Sequence, residues 1–217
     1  MKIASFLRSA SLAFILAIAF GLPAARAGQP LICHPYAIGD ASCLPGSDHG
    51  PKGTDPNYDR TRLTADTLVL LTPNQPILAR METLRRAAIY ATADLRGWAK
   101  GSHYTGEDQR IARELAAALE QRVQAATDDD RALALFDAGF FAETLRQTGL
   151  DPALDGYRRL LAATELRRGD PEIEFALALA TAYPRRPEHA GHVARARLGA
   201  AKKPLLAANL GLFFGGS

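Results

Sequence analysis

Between Leu31 and Gly50 the chain reads LICHPYAIGDASCLPGSDHG, a stretch that gathers Cys33, His34, Asp40, Cys43, Asp48 and His49. Two sulfurs and two imidazole nitrogens could complete a tetrahedral zinc site. The spacing argues against one. Ligands of structural sites usually pair about two to four residues apart, whereas nine residues separate Cys33 from Cys43 and Cys33 adjoins His34. In an oxidising compartment two such cysteines most often join each other. The sequence therefore predicts a Cys33–Cys43 disulfide, with metal ligation through His34 and His49, or free thiols, as the alternatives. Closing so short a loop would contribute about 2–3 kcal/mol in the chain-entropy model.

Elsewhere the chemistry is thinner. EHAGH, 188–192, spaces His189 and His192 three apart on one helical face, a workable metal-ligand interval. Glu188 precedes both histidines, so the segment is not the H-E-x-x-H of zinc proteases, and solvated histidines are the plainer expectation. No G-x-S-x-G, phosphate-cradling glycine loop or C-x-x-C-H is present, which removes the usual signatures of serine hydrolases, nucleotide enzymes and c-type haem. Ser102-His103 is a lone adjacent pair, and Asp128 to Asp130 are explained by the start of a helix. The sequence calls for no cofactor.

The first residues read as a processing signal. Lys2 and Arg8 precede an uncharged apolar core from Leu12 to Leu22, Pro23 breaks it, and Ala25-Arg26-Ala27 supplies small residues before cleavage at Gly28. The expected location is periplasmic or secreted. Arginine outnumbers lysine 21 to 5, a balance that points to a high-GC bacterial genome. Lys2, Arg8 and Arg26 account for the whole net charge of +3, so the mature chain is formally neutral. It lacks the overall basic footprint that nucleic-acid binding draws on.

About 190 residues remain after cleavage, enough for one sizeable core without disulfides. Residues 28–58 are rich in Gly, Pro, Asp and Ser and read as an irregular segment. Residues 59–217 read as an all-helical domain. Ile77, Met81, Leu84, Ala88, Ala91 and Leu95 form one apolar stripe, with Arg80 and Arg85 on its shoulders, stems over apolar surface and heads in water. Ile111, Leu115, Leu119 and Val123 form a second stripe. Asp128 to Asp130 offer an N-cap to the helix that Gly149 ends, and Asp151-Pro152 and Asp170-Pro171 both read as helix starts. Seven or eight helices joined by short loops imply an all-α fold of antiparallel helical hairpins, either a bundle or a short solenoid.

Within that array FDAGFFAETLRQTG, 136–149, resembles the middle of a tetratricopeptide repeat, with Gly139, Phe141 and Thr144 at its glycine, aromatic and small positions. The resemblance covers one hairpin. No 34-residue period recurs, and the proline expected after the second helix is displaced. Residues 33–91, from HPYAIGDASCLPG to the ILARMETLRRAAIYA helix, resemble uncharacterised secreted bacterial proteins, which implies export and a shared fold but no activity.

Two functions follow as expectations. One is a non-catalytic interaction module that binds a protein or peptide partner of the cell envelope. The other is a metal-assisted or acid–base enzyme centred on His34, Asp40, Asp48 and His49. Candidate binding cations are Arg80, Arg85, Arg185, Arg186, Arg195 and Arg197. The last four, with Lys202 and Lys203, make a basic tail ahead of the apolar PLLAANLGLFF. That tail could meet an anionic lipid surface. Docking on the protein's own acidic body is the favoured expectation.

Overall fold

The computed structural model describes residues 30–46, 53–93, 103–150 and 155–215. The processing signal, Asp48, His49, Leu95, Ser102 and the Asp151-Pro152 start lie outside the described residues. What is described is all-α. Nine helices run α1 (Pro30–Cys33), α2 (Leu63–Leu70), α3 (Ile77–Ala91), α4 (Gly106–Ala125), α5 (Asp128–Thr148), α6 (Gly156–Leu166), α7 (Pro171–Ala180), α8 (His189–Gly199) and α9 (Pro204–Phe214), and no strand joins a sheet among these residues. None of the described helices is long and apolar enough to cross a membrane.

Local chemistry explains most boundaries. Thr105 and Asp108 form a reciprocal capping box at the start of α4, each side chain taking the other's backbone N–H. The Asp170 carboxylate accepts from the Glu172 N–H and Pro171 opens α7, as the sequence predicts. The α5 start differs by one residue: Thr127 is the N-cap, so Asp128 to Asp130 fall in the first turn. Gly149 ends α5 with a positive φ. The described start of α6 is capped by Asp155, whose carboxylate accepts from the Arg158 N–H.

α5 is the hub. It packs against α1, α3, α4, α6 and α7, a many-neighboured arrangement unlike an array in which each unit meets only the next. Its crossing with α6 is close enough to exclude a Cβ. An added Cβ at Gly156 would lie 2.5 Å from the Gly139 carbonyl oxygen, and one at Gly139 would lie 2.8 Å from that of Gly156. Gly156→Ala is expected to destabilise the protein by about 1–3 kcal/mol, because helix backbones have to separate to admit the methyl. Urea unfolding of the single variant measures it.

α3 departs most from its sequence pattern. Its apolar stripe from Ile77 to Ala91 is buried as expected, yet Arg80, Glu82, Thr83 and Arg85 are buried too. The heads of Arg80 and Arg85 do not reach water. The irregular N-terminal segment covers the polar face of the helix, and with few regular hydrogen bonds of its own it draws its partners from there. Arg85 donates to the Ile32 carbonyl at 3.1 Å, Arg86 to that of Leu44 at 2.7 Å, and the Tyr90 hydroxyl to that of Pro45 at 2.7 Å. Glu82 accepts the Tyr36 N–H at 3.0 Å while pairing with Arg85 and Arg86. Leu31, Ile32, Tyr36 and Leu44 fill the core beneath these bonds. Residues 30–46 are thus an integral wall of the helical body.

Candidate functional site

The N-terminal residues with chemical potential are scattered. His34 and Asp40 are exposed, the His34 ring lying near-perpendicular to that of Phe213 at 5.9 Å. Where the sequence predicts a disulfide, the structure has two free, half-buried thiols. The helical turn of α1 packs Cys33 with Ile32 and Ile89, whereas Cys43 lies in the field of Arg86 and Glu82. Burial raises the Cys43 thiol above its ordinary range. No three His, Cys, Asp or Glu side chains gather as a metal-ligand group among the described residues.

The two α8 histidines are not solvated, contrary to the expectation, because both turn inward. His192 Nδ1 lies 2.7 Å from a Glu174 carboxylate oxygen, and its Nε2 lies 3.4 Å from the Tyr157 hydroxyl. His189 Nδ1 meets the Ala178 carbonyl at 2.9 Å and its ring meets Phe214. Each imidazole therefore has its own partner, and the pair does not converge on a common ligand. Burial lowers the His189 pKa, with the Ala178 carbonyl opposing it. Its unfolded form then binds the proton more readily, so stability falls as pH drops through the ordinary histidine range. His189→Asn is expected to remove that loss, narrowing the gap to wild type between about pH 7 and pH 5 in paired urea titrations.

The basic tail docks largely on the molecule itself. Arg195 pairs with Glu174 at 2.8 Å, Lys203 with Glu172 at 2.9 Å, and Arg197 donates to the Phe214 carbonyl at 2.7 Å. Arg186 sits 4.3 Å over the Tyr157 ring, while Arg185 is exposed. Leu206 and Leu210 of α9 enter the core, and Leu198, Leu205 and Leu212 remain on the outside.

Among the described residues, unanswered polar atoms with room beside them occur where α3, α4 and α5 meet. A cleft of about 210 Å³ is lined by Pro73, Arg80, Arg122, Leu133, Ala134 and Asp137, among others. Arg80, in the first turn of α3, sends Nη1 to Asp137 Oδ2 at 2.5 Å, Nη2 to the Thr72 carbonyl and Nε to that of Gln75. Its hydrogen bonds fasten the α2–α3 loop. Arg122, in the last turn of α4, gives Nη2 to the Leu71 carbonyl at 2.6 Å.

Two buried atoms on these side chains have no hydrogen-bond partner: Arg122 Nη1 and Asp137 Oδ1. Asp137 is 1% exposed. Burial pushes its carboxyl up to about 6, against the pull of Arg80 and Arg122. The site thus pairs a donor and an acceptor, both largely desolvated, beside apolar walls. A group entering such a cleft could accept from Arg122 and donate to Asp137.

Of these residues the sequence marks only Arg80. Asp137 carried a signal that could have been read, a lone acid inside the apolar run ALALFDAGFF. Arg122 carried none, since nothing in EQRVQAA separates it from a surface cation. No protein-family model matches the chain, and it matches no curated protein and no solved structure.

Proposed function

We propose that this chain is an exported, non-catalytic helical binding module that takes its ligand into the cleft between α3, α4 and α5. The observation that carries the proposal is the pair of buried, unanswered atoms, Arg122 Nη1 and Asp137 Oδ1, beside that cleft. Leaving such atoms without partners costs about 1–3 kcal/mol each, a cost that a ligand's hydrogen bonds would offset. Export rests on the n-region, apolar core and small-residue cleavage site of the first 27 residues.

Thermal unfolding of the mature chain against a library of short peptides and small polar compounds tests the binding role. A compound that raises Tm in wild type but not in Arg122→Met, and that is recovered chemically unchanged, supports it. Conversion of the compound to a product overturns the non-catalytic part. Mass analysis of the protein recovered from its host tests export, with an N-terminus at Gly28 expected.

A further inference from the structure

We infer that the group recognised in the α3–α4–α5 cleft is an amide, from an Asn or Gln side chain or a peptide unit, its N–H on Asp137 Oδ1 and its carbonyl on Arg122 Nη1. The inference rests on the binding role proposed above and names the chemistry of its ligand. Arg122 Nη1 can only donate, and Asp137 in its ionised form can only accept. The matching ligand presents one acceptor and one donor side by side. A carboxylate offers acceptors alone and would bring a second anion against Asp137. An ammonium offers donors alone and would bring a second cation against Arg122. The formal charges lining the cleft, Arg80 and Arg122 against Asp130 and Asp137, already cancel. A neutral ligand therefore leaves the balance undisturbed, where an ion would upset it in a desolvated setting. Ala125, Ala126 and Leu133 supply apolar contact for a short aliphatic stem.

Three isosteric probes separate these cases in 1H–15N titrations of the mature chain: propionamide, propionate and propylammonium. Each is carried to about 100 mM, well above the roughly millimolar dissociation constant within reach of so small a fragment. The expected result is that propionamide alone shifts the signals of residues 122–126 and 133–137. Arg122→Met should weaken that binding about tenfold or more, by loss of a charged donor. Ala126→Met, which narrows the mouth and spares the polar pair, should weaken it as well, so neither variant has to be interpreted alone. Propionate or propylammonium shifting the same signals as strongly as propionamide overturns the amide inference and leaves the binding role standing. Shifts at these residues from none of the three overturn both, since the cleft then holds only water.

Discussion

Replacing Glu82 with alanine is expected to destabilise the protein by about 3–5 kcal/mol, the range for removing one partner from a buried ion pair. The carboxylate is fully buried and works as a junction. It accepts from Arg85 Nε and Nη2 at 2.8 and 3.0 Å, from Arg86 Nε at 2.6 Å and from the Tyr36 N–H at 3.0 Å. Its loss strips the anion from two guanidinium groups, one of them wholly buried. The same change unfastens residues 30–46, because Arg85 and Arg86 also carry the bonds to the Ile32 and Leu44 carbonyls. Two readouts follow. The urea midpoint falls, and protease cuts appear within residues 34–46 while the helices remain protected. Glu82→Gln keeps the shape and part of the hydrogen bonding, so its loss should be smaller.

Asp137→Asn is expected to act in the opposite direction. Asp137 is as deeply buried as Glu82 but has one donor, Arg80 Nη1, and an orphaned second oxygen. Its folded pKa of about 6 lies above the ordinary aspartate value near 3.9. The native state therefore holds the extra proton between those values, and the contribution of this group to stability falls as pH rises through that window. Ionising this group between about pH 4 and pH 7 therefore removes folding stability on the order of 1–3 kcal/mol, at 1.36 kcal/mol per pK unit. Asparagine mimics the protonated acid. The variant should therefore be more stable than wild type at pH 7, by an amount of that order at most, and the advantage should shrink toward pH 4. Paired urea titrations across that range check the sign. A variant less stable than wild type at pH 7 would show that the Arg80–Asp137 pair is held for stability. Retaining an ionised group at a cost to the fold is the pattern expected of a functional position.

These two carboxylates show what the sequence could and could not disclose. The helices were legible because each carries its own signal, a stripe such as Ile111, Leu115, Leu119 and Val123, or a start such as Asp170-Pro171. Such signals are local. The fate of the polar face of α3 was not, since water and a covering segment leave the same periodic pattern in the helix itself. Arg85 is buried where the N-terminal segment, Ile32 among it, returns to it from about fifty positions away. The candidate site is less legible still. Arg80, Arg122 and Asp137 come from three helices, and no spacing links them. The α8 histidines were visible as a pair, but their inward turn depends on Glu174 and the Ala178 carbonyl of α7.

The joining of residues 36–37 to α9 bears on the order in which the molecule is made. Asn209 of α9 holds both the N–H and the carbonyl of Ala37, at 2.9 Å each, and Tyr36 stacks on Phe213 at 5.4 Å. This wall of the core is therefore completed only when residues 172 positions further along the chain have been made. At about 5–20 residues per second, Leu31 and Tyr36 wait roughly ten seconds or more for Asn209 and Phe213 to be synthesised. For that interval the nascent chain can form helices while this side of the core stays open.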